Sequence, residues 1–500
     1  MKYFLMNQDN IIAEFEARGE GFETAGFFYD VHYVVSNVGC SDQSLLPYSD
    51  QNRERRTELS EEELELLLGN WLSGRCAANH NFRVASLYRR FGIDEVDRFI
   101  HRTHAASLND TFWIRAEDED LSWTDVSLYR KRRYDPSITR FCMGDNMGWL
   151  PGTEPHFDSA PELTTNGSFR RGFIKDGEDI FFYKRNSSTG LEIYSEVLAS
   201  EVAQKIAPEC SVKYSLEKKY IKNNSKYRFF TDEKTGLVPY YCFWSGRSTD
   251  IKDMLEFFSE IGSEMQFRKM MVIDSLIFNV DRHLNNFGVL IDNDTLAIKG
   301  MAPIYDLNLA LFGDDKKQTF EDIYSCVSSH RPSFGGDFVR LGHQMLTTEM
   351  RTAVSEMQDF TFSFRGNNEF EEWRVKKLEE IIHMQAKAIL SDEDLTARQV
   401  FQSCKSEKIR QEEKKYDLIR LNASFFATEF EEYTQYSAYR SYKVSVLEDP
   451  EQKIVEVYID DLEDTGTITL DFIGRSITQK GKQFPEDLID RICSIFEKYK

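Results

Sequence analysis

The run Asn279-Val280-Asp281-Arg282-His283-Leu284-Asn285-Asn286-Phe287-Gly288 sets a carboxylate, Asp281, five positions before an amide, Asn286. A carboxylate in such a loop can orient a hydroxyl and accept its proton. An amide oxygen can ligate a divalent cation. That pair at that spacing is what phosphoryl transfer asks of a catalytic loop. A second carboxylate follows twenty residues after Asn286, in Ala302-Pro303-Ile304-Tyr305-Asp306-Leu307. Asp306 is expected to be the main ligand of the cation.

The flanking residues must bring these groups together. Phe267 to Phe278 is a strongly apolar helical run, and a buried helix ending in a polar loop fixes that loop rigidly. Val289-Leu290-Ile291 is a short apolar strand, Asp292-Asn293-Asp294 has turn chemistry, and Thr295 to Lys299 alternates apolar and polar. The resulting hairpin returns Asp306 to the side of Asn286.

Upstream, Thr164 to Ile174 reads as strand-turn-strand, and Asp179 to Tyr183 as a strand carrying Lys184. A kinase needs a loop whose backbone N–H groups approach phosphates and a Lys that reaches them from a central strand. Asn166-Gly167-Ser168 and Lys184 suit those two tasks. The loop lacks a G-x-G-x-x-G pattern and also reads as a plain hairpin; its place ahead of Asp281 favours the phosphate role. Leu191 to Ile206 is a helix bearing Glu192, Glu196 and Glu201, one of which should pair with Lys184. Lys219 to Phe230 reads as a strand leading to a hinge near Phe229-Phe230-Thr231.

The segments "NVDRHLNNFG" and "APIYDLNLAL" resemble the HipA-like serine/threonine kinases, over roughly residues 160 to 390. The resemblance implies an α+β, bilobal protein-kinase-like core with a β-rich N-lobe and a helical C-lobe, and the cofactors ATP and Mg²⁺. By position, Asp281 resembles the catalytic base and Asp306 the Mg²⁺-binding Asp. His283 and Asn286 resemble nucleotide- and metal-contacting loop residues, although His283 is equally read as a structural brace. Glu196 fits the family's helix pattern best as the partner of Lys184, leaving Glu192 and Glu201 as solvated face charges. Some members of that family act with a small DNA-binding antitoxin, and some are thought to inactivate themselves by phosphorylating the phosphate loop. Here that would fall on Ser168, Thr164 or Thr165, where a phosphate would repel ATP. Phosphoinositide kinases share the Asp-Arg-His-x-x-Asn pattern, so a lipid or small-molecule kinase is an alternative. A non-catalytic, partner-binding pseudokinase is another, opposed by the intact Lys184, Asp281, Asn286 and Asp306.

Length and composition bound the rest. The 500 residues suggest two to four domains. We divide them into an N-terminal accessory region (1–150), an N-lobe with hinge (155–265), a C-lobe with the catalytic motifs (266–390) and a C-terminal α+β appendage (391–500). The net charge of −22 argues against direct, non-specific nucleic-acid binding and against an anionic membrane surface. The short basic run Arg130-Lys131-Arg132-Arg133 reads as a solvated loop or helix end, with a local phosphate or acidic-peptide contact as the alternative. The eight cysteines form no C-x-x-C pair, and no apolar run is long enough to span a bilayer. A cytoplasmic protein is therefore expected, and the resemblance implies that it acts on a protein Ser or Thr.

Smaller elements are legible too. Met1 to Glu16 suits a hairpin around Asn7-Gln8-Asp9-Asn10. Ser60 with Glu63 makes a capping box for a helix whose apolar face is Leu64, Leu66, Leu67 and Trp71. Helical patterns recur at 84–102, 251–263, 347–357 and 368–390. Past 391, a charged helix start (405–416), two or three strands (442–447, 453–459, 467–473) and a final helix after Pro485 are expected.

Overall fold

The computed structural model describes residues 1–23, 29–47, 58–79, 81–93, 95–145, 155–243, 250–320, 327, 329–334, 336–391, 414–431, 442–449, 454–461, 466–481 and 484–499. Two compact units divide the chain, Met1–Arg398 and Gln399–Lys500. The architecture is mixed α and β, with four antiparallel sheets among the described residues.

The first unit opens with the hairpin β1 (Lys2–Asn7) and β2 (Asn10–Glu23), followed by β3 (Tyr29–Cys40). The sheet is closed by β4 (Phe112–Ala116) in the order β3-β2-β1-β4. Helix α1 (Glu61–Gly74) starts with the Ser60–Glu63 capping box. Its buried residues include Leu64, Leu68, Trp71 and Leu72. Leu66 instead lies 63% exposed. The face that starts at Leu64 recurs at i+4, i+7 and i+8, and Leu66 falls on the opposite side of that helix. The helical pattern over 84–102 is two helices, α2 (Phe82–Phe91) and α3 (Val96–Thr103), because Gly92 takes a left-handed φ of 62° and ends the first. Two short helices follow, α4 (Trp123–Val126) and α5 (Pro136–Cys142).

The second sheet joins β5 (Arg170–Asp176), β6 (Asp179–Arg185), β7 (Ser215–Lys219) and β8 (Lys222–Arg228) in the order β5-β6-β8-β7. The residues before it differ from expectation: 164–169 is irregular chain rather than a strand, with its carbonyls bonded to side chains instead of a neighbouring strand. Helix α6 (Glu192–Ile206) packs on β8. It is buried nearly all round, so Glu192 is buried rather than solvated and its carboxylate accepts from the Ser187 N–H at 3.0 Å. Glu201 accepts from Ser363 at 2.6 and 2.8 Å.

One hydrophobic core runs from the first sheet into the second. It holds Met6, Leu108, Trp113 and Trp123 together with Phe173, Phe182, Val197, Tyr214 and Tyr227. Each such side chain contributes about 1.5–3 kcal/mol by leaving water. The basic run lies close by, with Arg130 paired to Glu233 and Lys131 to Asp158.

Helices α7 (Ile251–Glu260) and α8 (Glu264–Ile277) follow strand β9 (Thr235–Pro239). A three-stranded sheet then forms from β9 and the hairpin β10 (Gly288–Asp292) and β11 (Ile298–Met301), in the order β11-β10-β9. Gly288 is needed there, because a Cβ would meet the Val238 carbonyl at 2.1 Å. Helices Phe338–Met345, Thr348–Glu356 and Glu372–Leu390 complete the unit. The last starts later than its sequence pattern, since Asn367 turns the chain by accepting from the Glu369 and Phe370 N–H groups.

The second unit has four strands where two or three were expected: β12 (Tyr442–Asp449), β13 (Ile454–Asp461), β14 (Thr467–Asp471) and β15 (Ser476–Lys480), paired in sequence order. Helices 414–431 and Glu486–Tyr499 pack Phe426, Phe430, Ile492 and Phe496 against Val457, Ile459 and Leu470. The expected helix start at 405–413 lies outside the described residues. Among the described residues no helix is long and apolar enough to cross a membrane.

Candidate active site

Helix α8 ends at Phe278, whose left-handed φ of 53° turns the chain sharply although the residue is buried. The turn throws residues 279–287 into a loop, and Asp274, a carboxylate buried inside the apolar helix, anchors it. Asp274 accepts from Asn279 Nδ2 at 2.8 Å and from Arg282 at 2.8 and 3.0 Å. Arg282 is 2% exposed, and its remaining nitrogen donates to the carbonyls of Asn286 at 2.6 Å and Tyr305 at 2.8 Å. One guanidinium thus ties the helix, the loop and the segment before Asp306 together. A planar, five-donor group is suited to that task in a way Lys is not.

Inside this frame Asn286 Nδ2 donates to the Asp281 carbonyl at 2.8 Å and approaches its carboxylate at 3.5 Å. His283 is exposed, and its Nδ1 accepts from the Asn285 N–H at 3.3 Å. The β10–β11 hairpin returns the chain so that Asp306 sits beside the loop. Asp306 has a left-handed φ of 57°, which Asp tolerates better than most residues. Its N–H donates to the Tyr214 hydroxyl at 3.1 Å.

Lys184 reaches the same place from β6. Its Nζ lies 2.7 Å from Glu196 Oε1 and 2.6 Å from Asp306 Oδ1. Glu196 is fully buried, and its second oxygen accepts from Ser225 Oγ at 2.5 Å. Burial opposes the Lys184 charge, but the flanking carboxylates outweigh it and hold the ammonium above its ordinary value. Burial also pushes Asp306 up, and Lys184 outweighs this, leaving that carboxyl below its ordinary value. Glu196 is held above the usual range by burial. Asp281 is raised chiefly by burial as well, with the Asp306 charge adding to it.

A cleft of about 1280 Å³ joins these groups. Lys184, Asp281, His283, Asn286 and Asp306 line one part of it, with the loop Thr164–Phe169 beside them. Tyr227, Phe229, Phe230 and Leu237 supply apolar wall. Of the loop hydroxyls, Ser168 is exposed, whereas Thr164 and Thr165 are buried and the Thr164 hydroxyl donates to the Ala106 carbonyl at 2.6 Å. Asn286 Oδ1 and Asp306 Oδ2 accept no hydrogen bond within the described residues. These are hard oxygen donors of the type Mg²⁺ takes.

The sequence motifs therefore meet in space: Lys184, Asp281, His283, Asn286, Asp306 and the loop with Asn166, Gly167 and Ser168 all adjoin one cleft, and Glu196 stands behind Lys184 without lining it. Sequence reasoning missed Asp274, Arg282 and Tyr214. The first had a signal, a single Asp within an otherwise apolar helical run. Arg282 stood inside the Asp-Arg-His-x-x-Asn motif but was given no role, and Tyr214 had no signal, because its partner Asp306 is distant in sequence.

No family model matches the chain, and no curated protein does. Solved structures do. The proinflammatory kinase CtkA of Helicobacter pylori matches at 16% identity and TM-score 0.35, over 47% of this chain and 95% of that one. HipA of Shewanella oneidensis, from a toxin–antitoxin complex with HipB and operator DNA, matches at 10% identity and TM-score 0.42, over 77% of this chain and 96% of that one. At these scores, the chemistry of the site rests on its own geometry.

Proposed function

We propose that this chain is an ATP- and Mg²⁺-dependent kinase with a two-lobed catalytic core that phosphorylates a Ser or Thr hydroxyl of a protein. One observation carries the reading: Lys184 Nζ bridges Glu196 and Asp306 within hydrogen-bond distance, at the edge of the cleft that Asp281 and Asn286 also line. Few arrangements other than a nucleotide site call for a buried ammonium shared between a helix carboxylate and a loop carboxylate next to a base-and-amide pair.

In this reading Lys184 holds the α- and β-phosphates, with Glu196 fixing its direction. Asn166, Gly167 and Ser168 cover the phosphates. Asn286 and Asp306 hold Mg²⁺, which when bound neutralises charge on the phosphates. Asp281 orients the acceptor hydroxyl and takes its proton as the oxygen attacks the γ-phosphorus and the ADP oxygen leaves. His283 borders the phosphates. The acidic balance of the chain favours a protein acceptor over a lipid at an anionic surface. Self-phosphorylation belongs to the proposal, at the exposed Ser168 ahead of Thr164 and Thr165. A helix-turn-helix antitoxin is the partner class that the resemblance implies.

The test is transfer of labelled γ-phosphate from ATP to protein in a cell extract and to the chain itself. Wild type labels a protein band. Asp281→Asn and Asp306→Asn each lower the rate by about 10²–10³ or more with the fold intact. Equal labelling by either variant contradicts the assignment. Peptide mass spectrometry after incubation with ATP locates the self-modification, and an unmodified 163–171 peptide removes that part.

A further inference from the structure

We infer that the N-terminal region is a working part of the nucleotide site: Asn81, assisted by Arg171, sets the peptide orientation of the loop Thr164–Phe169 so that its N–H groups are free for phosphate. This rests on the nucleotide reading of the cleft given above.

Residues 74–106 hold the loop with five hydrogen bonds. The Tyr88 hydroxyl donates to the Leu163 carbonyl at 2.7 Å, and Thr164 Oγ1 donates to the Ala106 carbonyl at 2.6 Å. Asn166 Nδ2 donates to the Gly74 carbonyl at 2.8 Å. Asn81 Nδ2 donates to the carbonyls of Gly167 at 3.2 Å and Phe169 at 3.1 Å. From the other side Arg171, 2% exposed, donates to the carbonyls of Thr165 and Gly167.

The carbonyls of residues 165, 167 and 169 are therefore all tied down. In a trans peptide the N–H of the next residue points opposite to the carbonyl. The N–H groups of Asn166 and Ser168 must point away from Asn81 and Arg171. Neither makes a hydrogen bond within the described residues, and both residues line the cleft. Free backbone N–H groups on a turn form an anion-binding concavity. Gly167 permits it with a φ of 134°; a Cβ there would meet the Arg171 guanidinium at 2.8 Å.

Asn81 cannot be replaced by a simple cap. Its Oδ1 accepts from the Arg83 and Val84 N–H groups at 3.1 and 3.3 Å and so caps α2, while its Nδ2 holds the loop. One 5% exposed side chain thus couples a helix start in the N-terminal region to the loop. Asp and Ser both cap helices as well as Asn does, and neither supplies the amide donor.

Asn81→Asp and Asn81→Ser separate the two jobs, and the uncharged Ser variant separates loss of the donor from added charge. Both variants keep the helix cap; the Ser variant is expected to melt a few degrees below wild type, and the Asp variant lower still, because its carboxylate faces two carbonyls. In both, amide hydrogens of a peptide covering 163–170 exchange faster, and the KM for ATP rises about tenfold, the scale of one or two hydrogen bonds, with kcat little changed. Unchanged exchange, or faster exchange with an unchanged ATP KM, overturns the inference. If wild-type protein itself neither binds nor turns over ATP, the kinase reading fails instead, and the exchange measurement still decides whether Asn81 orders the loop.

Discussion

Asp281 is raised above its ordinary value by burial and by the neighbouring Asp306 charge. A base works only when ionised, so kcat/KM should fall as pH drops through this raised value. The acid limb is expected above the ordinary Asp value of about 3.9, and a pH–rate profile flat down to that value contradicts the role. Glu162 titrates separately. It is fully buried, one oxygen accepts from the Phe173 N–H at 2.9 Å, and burial pushes it up to about 7. The folded state then holds the proton more tightly than the unfolded chain does. The stability this contributes is complete below the unfolded value and is lost as pH rises through about 7. Glu162→Gln should flatten the decline of the melting temperature between roughly pH 4.5 and 7; an unchanged slope counts against it. At this scale the sequence was informative where chemistry is written in spacing, as with Asp281, Asn286 and Asp306. It was silent about Arg171, Tyr214 and Glu162, whose importance comes from burial and from partners that only the fold supplies.

The catalytic loop keeps its shape through an element-to-element tie, the Asp274–Arg282 pair, with side chains 3% and 2% exposed. Asp274→Asn leaves the guanidinium without its counter-charge in a buried site. It should cost about 3–5 kcal/mol of unfolding free energy, read by denaturant titration, and a loss under about 1 kcal/mol would show that the loop does not depend on the tie. Elements with their own local signal were legible: the Ser60–Glu63 capping box, helix α8, the β10–β11 hairpin and the strand carrying Lys184. Those decided by long-range contacts were not. Thr164 to Ile174 reads as strand-turn-strand, yet Asn81 and Arg171 claim the carbonyls of Thr165, Gly167 and Phe169. Glu192 looks like a solvent-facing helix charge, yet α6 is enclosed by the sheet and by α8. Leu66 was placed on the face of Leu64, although two residues along a helix turn a side chain to roughly the opposite side.

The residues of the candidate site all lie within Met1–Arg398, and Gln399–Lys500 has its own aromatic and aliphatic core. A truncated chain ending at residue 398 should therefore keep ATP turnover close to that of the full chain; its loss in a folded truncation would give the second unit a direct part in the site. The N-terminal region was read as a separate accessory piece, but Trp113 and Trp123 share a core with Phe173 and Tyr227, and the cleft is lined from both. The central claim is that Lys184, Asn286 and Asp306 gather around a nucleotide and its cation. Calorimetric titration of ATP into the purified chain, with and without Mg²⁺, tests it most directly. Binding that strengthens with Mg²⁺ in wild type and loses that dependence in Asp306→Asn is the expected result; a folded wild-type chain that takes up no ATP with Mg²⁺ present would contradict the account.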